Sequence, residues 1–572
     1  MNTGPIDRRR LSRLRSGQGD IANHIIDEFA AGRLSRRDFV RRGTVVGISV
    51  PLLGSILAAC SSSPSSKAPS STSSTPSSTA AAGAPGATIR AGIETPTGNI
   101  NPLTVEDQGG LDMLAQTGEY LCLSDQTLTL QPVLATKWTP NSTGDVWTFT
   151  IRQGVKFHNG QALTADDVVY TYQLHSNPKN ASNALSALSG VLLPSGVVKV
   201  DDYTVEFHLA APNGNFPYYT SSDTYNLIIL PNGYDPANWQ STFIGTGPFV
   251  LDSYTPKVGA TFTRNESYWG TKALPSQTQF TFYDTQAPLN LALTGGNIDV
   301  VGQFSYTGGA ELLSGSYNVI KLKSSAHREL SMRCDTAPFT DARVRQAVAL
   351  TLNRPQIVQA LFKGYADLGN DSPFAPIFPS TNTSIAQRAQ NIAQAKSLLS
   401  AAGHGSGFTT QLYTENVQEI PDFAQIVAES AAQINVKIDL HVEAQNTYYG
   451  NTFGSSDWLD GVMSLVDYGH RGVPNFFLGA PLETYNKTTG AGAYNAAHFA
   501  DPAYNTLAAQ YVAAVDLTSQ QAIAGQIETL LLAQTPIIFA YFYNYLTATA
   551  QNVTGVYPTA IGHLFLYNAA KS

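Results

Sequence analysis

Residues 61–87 read SSSPSSKAPSSTSSTPSSTAAAGAPGA, 27 residues of almost pure Ser, Thr, Pro, Ala and Gly. Such a stretch has nothing to bury against the entropy of ordering it, so it behaves as a tether. Anything that folds is therefore confined to Thr88 onward. As a flexible coil the tether spans roughly 30 Å, from about 5–6 Å per square root of residue number. Past residue 60 the chain has no run of about 18 uncharged apolar residues, so we expect a soluble body. That body is large. At roughly 150 residues per domain, the 572-residue chain holds about three or four domain-sized units. Hydrophobic residues make up 43%, enough for a real core, whereas charged residues are only 13%, half the usual share of about 25%. Residues 1–59 carry ten Arg and five acids; the remaining 24 basic and 37 acidic residues give the rest of the chain a net charge of −13. A body this acidic argues against nucleic-acid binding, which needs cations to neutralise phosphates.

The segment before the tether reads as an address. Arg36 and Arg37 form a twin arginine in Ser35–Val40, and Arg41 and Arg42 follow. Then come 17 uncharged, mildly apolar residues, Gly43–Ala59, ending in Leu57-Ala58-Ala59-Cys60. The order resembles a twin-arginine export signal joined to a bacterial lipobox, with Cys60 as the lipidated residue. It implies residues 1–59 as signal, 60–87 as tether, and a body held by lipid at the outer face of the cell membrane.

The body alternates elements. Strand-like runs at Ile89–Ile93, Val146–Arg152, Val197–Val200, Thr204–Leu209 and Thr261–Arg264 are bounded by Gly, Pro, Asn or Asp. Helical patterns cover Thr164–His175, Asp341–Phe362, Asn391–Ala402, Asp422–Ile434 and Ser519–Gln534. Thr164 and Asp341 stand as N-caps, and Asp166 and Asp167 read as helix-start charges rather than a catalytic pair. Pro355 predicts a break after Asn353 or Arg354. The mixture points to an α/β (α+β mixed) fold in more than one lobe.

Thr143–Val169 contains GDVWTFTIRQGVKFHNGQALTADDV, and further fragments follow in a fixed order. They are VKVDDYTVEFHL (Val198–Leu209), IGTGPFV (Ile244–Val250), RNESYWG (Arg264–Gly270), LALTGGNIDV (Leu291–Val300), PFTDARVRQAVALTLNR (Pro338–Arg354) and INVKIDL (Ile434–Leu440). Together these resemble bacterial extracellular solute-binding proteins of the peptide/nickel type over residues 88–570. The resemblance implies a two-lobed periplasmic-binding-protein-like fold with a hinge and an extra inserted domain. We expect the first lobe in 88–128, 244–325 and 546–572, the insertion in 129–243, and the second lobe in 326–545. It further implies an ABC transporter's substrate-binding component, acting as a monomer without a cofactor. With no nucleotide site and no membrane span of its own, the chain would depend on a separate permease and ATPase.

The family places its ligand loop in the last third, here Asp460–Leu478. By resemblance Asp467 receives a ligand ammonium; the alternative is a pair with Arg471, four residues on, since a buried carboxylate needs a cation. Arg333 replaces the family's usual Asn in a strand expected to end near the cleft. It is a candidate for carboxylate recognition, or pairs with Asp335 or Glu329. Tyr468, His470, Arg471, Trp458, Glu119 and Tyr120 complete the candidate ligand contacts, His470 also bearing on a nickel-chelate reading. Aromatic clusters at Tyr448–Phe477 and Tyr541–Tyr545 offer broad faces to a peptide or sugar.

Two other classes compete with this reading. A lipid-anchored hydrolase would need a nucleophile elbow, but Gly403-His404-Gly405-Ser406-Gly407 has its Ser displaced and follows a helix. The chain has no His-Glu-x-x-His and only three Cys, which gives no metal set. Cys122 and Cys334 are read as free buried thiols. A sensor that presents a captured solute is indistinguishable from a transporter at this level. Among ligands, a short peptide or peptide-like zwitterion stands first, ahead of an oligosaccharide or a metal chelate. Gly154, Gly160, Gly245 and Gly247 read as turn glycines.

Overall fold

The computed structural model describes residues 86–449, 456–488 and 490–572, all within one compact unit, Ala81–Ser572. The expected export signal with Arg36 and Arg37, the expected lipobox at Cys60 and all but the last two residues of the expected tether lie outside the described residues. Among the described residues no helix is long and apolar enough to cross a membrane.

Two large mixed sheets organise the body. The first has seven strands in the order Tyr317–Leu322, Tyr545–Ala550, Val300–Phe304, Thr88–Glu94, Gln277–Tyr283, Gly259–Arg264, Phe249–Thr255. Thr88–Glu94 is its parallel centre, paired to Gln277–Tyr283 and Val300–Phe304. The second has six: Ala366–Leu368, Ile537–Tyr543, His327–Met332, Met463–Tyr468, Phe408–Glu415, Val436–Glu443. A third, antiparallel sheet of four strands is built from Ala135–Pro140, Val146–Ile151, Thr204–Leu209 and Leu192–Asp201. Its inward residues Phe149 and Phe207 share one core with Ile89, Ala91 and Phe280 of the seven-stranded sheet. The six-stranded sheet has a core of its own, centred on Leu330, Leu412, Leu465 and Ile538. The molecule is thus two-lobed, with the small sheet packed on the first lobe.

The chain passes between the two large sheets at two described places. One is Lys323–Ala326, between Tyr317–Leu322 and His327–Met332; the other is the single residue Asn544, between Ile537–Tyr543 and Tyr545–Ala550. The crossings touch: Tyr543 N–H donates to Ala326 O at 2.9 Å, and Ser324 Oγ donates to Tyr543 O at 2.5 Å.

The local signals act as physics requires. Asn353 accepts from Gln356 N–H at 3.2 Å and opens the helix Arg354–Phe362, in which Pro355 occupies the first turn. Pro is tolerated there, because its missing N–H has no intrahelical acceptor. The preceding helix, Ala342–Ala349, ends at Leu350, so the break lies three residues before the expected point. Asp167 accepts from Thr164 N–H at 2.7 Å and from Asn232 N–H at 2.8 Å; it closes its helix start and ties down a loop.

The glycines divide. Gly154 and Gly160 have φ of 80° and 87°, the left-handed turns expected of them. Gly245 and Gly247 do not: a Cβ there would stand 1.9 Å and 2.7 Å from Thr117 O. They are glycine because two backbones touch, not because a turn demands it.

Candidate functional site

Strands Phe408–Glu415 and Met463–Tyr468 run parallel and adjacent, so their carboxyl ends open on the same side. Ligands of open α/β sheets gather at such ends. Asp467 sits at this edge, directly opposite Arg328 on the antiparallel neighbour His327–Met332. The Arg328 guanidinium is 1% exposed and bonds Asp467 Oδ1. Its Nε and Nη2 hold Glu419 at 2.9 and 3.1 Å, and Nη2 also donates to Gln418 Oε1 at 3.0 Å. The cation lies 4.4 Å from the centre of the Tyr543 ring, and the Tyr543 hydroxyl donates to Asp467 Oδ1 at 3.0 Å. Facing acids hold the Arg328 charge against burial, and its pKa is raised. Asp467, with its side chain 35% exposed, remains open toward solvent.

A third carboxyl ends the adjacent strand. Glu415 is buried, accepting from Tyr449 OH at 2.5 Å and Gln445 Nε2 at 3.0 Å. Two carboxyls, Glu419 and Asp467, therefore share one guanidinium, and with Glu415 beside them the edge carries formal negative charge.

The loop after Tyr468 is clamped to a crossing. Ser325 N–H donates to His470 Nδ1 at 3.0 Å. The Ser325 hydroxyl donates to Arg471 O at 2.8 Å and accepts from Arg471 N–H at 2.9 Å. Burial, with Arg471 beside it, pushes His470 down to about 3, so the ring is neutral and Nδ1 accepts.

Two cavities flank this edge. One, of about 260 Å³, is walled by Glu94, Gln108 and Gln303–Thr307 of the first lobe, by Phe362, Gln418 and Glu419 of the second, and by Tyr543–Tyr545. The other, of about 550 Å³, lies between residues 186–225, Arg471–Glu483 and Val512.

The expected site residues separate. Asp467 is on the edge, but its cation is Arg328; the pair with Arg471 is not formed. Arg333 forms the alternative pair, with Asp335. It lies at the opposite end of its strand, about 16 Å from Arg328 at 3.3 Å per residue. There it forks onto Asp335 at 2.7 and 3.0 Å and donates to Asp460 O at 2.8 Å. Glu119 is consumed by Tyr268 OH at 2.6 Å, Thr246 Oγ1 at 2.7 Å and Trp269 Nε1 at 2.8 Å; burial still pushes it up to about 7. Tyr120 OH donates to Tyr225 O at 2.5 Å and meets His563 Nε2 at 2.8 Å. His470 meets Ser325 through Nδ1, and among the described residues no cluster of three metal-ligating side chains forms. Trp458 is packed between Tyr449 and Tyr494, both at 5.2 Å. Tyr468 stacks near His327 and Phe476. Cys122 and Cys334 are free thiols, pushed up by burial to about 12 and about 11. The glycine-rich stretch at 403–407 is the turn after the helix Ile392–Ala401.

Sequence reasoning missed Arg328, Glu419 and Ser325, and took Tyr543 only as part of an aromatic cluster. One signal was available: His327-Arg328-Glu329 are three consecutive titratable residues inside a strand that both neighbours bury, and each must find a partner.

The chain and its fold have known counterparts. Residues 129–475 match the family described as "Bacterial extracellular solute-binding proteins, family 5 Middle". The chain is 28% identical over 311 residues to the dipeptide-binding protein of Escherichia coli, an alignment covering 50% of this chain and 57% of that protein. It is 26% identical over 486 residues to the periplasmic murein peptide-binding protein MppA of E. coli, covering 79% and 87%. Among solved structures, the ABC transporter-associated periplasmic binding protein DppA from Helicobacter pylori, in complex with the peptide STSA, superposes with a TM-score of 0.66 at 20% identity. That match covers 85% of this chain and 98% of the other.

Proposed function

The chain belongs to family 5 of the bacterial extracellular solute-binding proteins, and on that premise we propose that it is the substrate-binding component of an ABC importer. It captures a short peptide or peptide-like zwitterion between its lobes and passes it to a separate permease driven by an ATPase. The observation that carries the ligand class is the acid surplus at the strand edge. Glu419 and Asp467 face one guanidinium, and Asp467 alone of the two stays substantially open. A solute ammonium at Asp467 supplies the missing cation, through a charge-assisted hydrogen bond. Binding needs no bond-making, and the chain acts as a receptor rather than an enzyme. The relatives that bind dipeptides and murein peptides support the same class.

The lobes we assign to this act are 88–128, 244–325 and 546–572 on one side and 326–545 on the other, with 129–243 inserted. Sheet membership supports that division. Export through Arg36 and Arg37 and lipidation at Cys60 place the receptor outside the cell membrane. Cys60→Ala is expected to release it from the membrane fraction, and continued anchoring overturns this assignment.

The ligand class is tested by thermal shift with peptides of two to five residues, oligosaccharides, and nickel with and without chelators. A ligand at 100 times its Kd adds about 2.7 kcal/mol, an easily seen rise. The expected result is a response to peptides that Asp467→Asn abolishes while leaving the unliganded Tm nearly unchanged. A response to neutral sugars that survives Asp467→Asn overturns the zwitterion reading.

A further inference from the structure

Besides the two covalent crossings, the two sides of the molecule meet through a pair of contacts that use no charge and lie away from the strand edge. The first is a single residue. The hairpin of Cys122–Ser124 and Leu130–Pro132 turns through Asp125–Thr129, and there Leu128 has a φ of 58°. That left-handed conformation is unfavourable for a leucine, and the turn is built to impose it. Asp125 Oδ1 accepts from Thr127 N–H at 2.8 Å and from Thr129 N–H at 3.0 Å. Gln126 Nε2 donates to Pro558 O at 2.9 Å, which ties the turn to the last segment of the first lobe. Yet the Leu128 side chain is buried in an apolar cluster with Phe374, Phe378 and Phe477, and every other buried member of that cluster lies in 326–545. A first-lobe turn has placed its leucine in the second lobe's core.

The second contact is the segment 213–219 of the insertion. Gly214 N–H donates to Val512 O at 2.8 Å, and a Cβ on Gly214 would stand 1.8 Å from Ala514 O, so two backbones touch. Around this point runs a relay of side-chain amides. Gln520 Nε2 donates to Asn215 Oδ1 at 2.9 Å, Asn215 Nδ2 to Asn475 Oδ1 at 2.7 Å, and Asn475 Nδ2 to Tyr219 OH at 3.1 Å. Asn215 and Gln520 are buried, so each amide depends on the next for its partner. Tyr218 joins the two contacts, its hydroxyl donating to Leu128 O at 2.7 Å. A strained, buried, non-glycine residue persists only where its surroundings over-determine it, and such residues gather at switches and clamps.

We propose that Leu128 and the segment 213–219 form a releasable latch between the lobes, which holds them together through its own contacts rather than through the solute. The inference rests on the lobe division given above and not on the ligand class. Opening withdraws Leu128 from the aromatic cluster and breaks the Gly214–Val512 bond in the same movement, because Tyr218 couples the two. Burial of the leucine alone shifts the closed-to-open ratio about 10- to 100-fold, and the relay adds to it. A solute that binds the closed arrangement gains apparent affinity in proportion to the closed fraction.

The test is hydrogen exchange on the unliganded full-length chain, read at the Gly214 amide. That N–H is bonded only across the interface, so its protection reports the closed-to-open ratio. In the wild-type chain Gly214 is expected to exchange more slowly than a free peptide and faster than the strand interior Ile89–Ile93, the mark of opening without unfolding. Leu128→Ala is expected to cut Gly214 protection about 10- to 100-fold and to raise the radius of gyration in small-angle scattering, with Ile89–Ile93 unchanged; Leu128→Met is expected to behave as wild type. Joint replacement of Asn215 and Gln520 by Ala is expected to act in the same direction. Free-peptide exchange at Gly214 in the wild type overturns the proposal with no variant needed. So does protection equal to that of the strand interior, which makes the contact permanent rather than releasable. Gly214 protection that Leu128→Ala leaves intact, or lowers only together with Ile89–Ile93, overturns it as well.

Discussion

Replacing Arg328 by Met removes the one cation that Glu419 and Asp467 share while keeping most of the side-chain volume. The loss has three parts: two hydrogen bonds to Glu419, one to Gln418, and the bond to Asp467. Removing one partner of a buried ion pair costs about 3–5 kcal/mol, because the other charge is left uncompensated. Here Glu419, with a side chain only 5% exposed, carries most of that cost; Asp467 turns to water and contributes little. How far Tm falls depends on what unfolds together. With an unfolding entropy near 2.1 cal/mol/K per residue, a second lobe of roughly 220 residues unfolding alone loses about 9 °C for 4 kcal/mol. The whole body unfolding as one unit loses about 4 °C. We therefore expect a fall of about 4–9 °C at pH 7, read by calorimetry on the unliganded chain. The sign with pH is fixed: an orphaned carboxylate is relieved by taking up a proton, so the deficit shrinks toward acid and is largest at neutral pH. Adding Glu419→Gln removes the orphan and is expected to recover more than half of the loss. A deficit below 1 °C at pH 7, or one that does not shrink by pH 4.5, refutes the reasoning.

Ser325→Ala unfastens the loop from the crossing. It is expected to weaken peptide binding about tenfold through faster dissociation, with less than 1 kcal/mol of lost stability beyond an ordinary hydrogen bond's worth; Ser325→Thr is expected to keep the clamp and the affinity. Unchanged dissociation in Ser325→Ala separates loop from hinge. Gly245→Ala is expected to cost at least about 2–3 kcal/mol, the range of overpacking, because its Cβ would meet the Thr117 carbonyl oxygen at 1.9 Å; a denaturant midpoint equal to wild type disproves the close approach. Buried Glu119 and Asp223 titrate at about 7 and Glu528 at about 8, above their ordinary 4.5, 3.8 and 4.5, with burial the leading cause. Acids raised on folding contribute stability that is complete below about pH 4 and lost as pH rises through 7–8. The Tm of the unliganded chain is thus expected to fall between pH 5 and 8.5, with a shallower slope in Glu528→Gln. A Tm that rises across this window contradicts the assignment.

The sequence by itself determined the local elements and the ordered fragments that resemble the family. Strands, caps and the break near Pro355 depend on residues a few positions apart, whose backbone preferences act wherever the chain is. It also isolated the tether and the acidic, charge-poor body, which follow from composition alone. It singled out the loop Asp460–Leu478 through Asp467 and Arg471. What it left undetermined was who pairs with whom. Arg328 meets Glu419 and Asp467 across 91 and 139 residues of chain, and only strand order and register bring them opposite one another. Arg333 shows the same dependence from the other side. Its residue type fits carboxylate recognition, but it stands at the end of the strand away from the edge, beside Asp335. Gly245 and Gly247 look like turn residues until Thr117 is placed against them. In each case the tertiary structure decided, because a buried charge or a close backbone contact is satisfied by whatever the fold brings within about 3 Å, and sequence spacing carries no record of that distance.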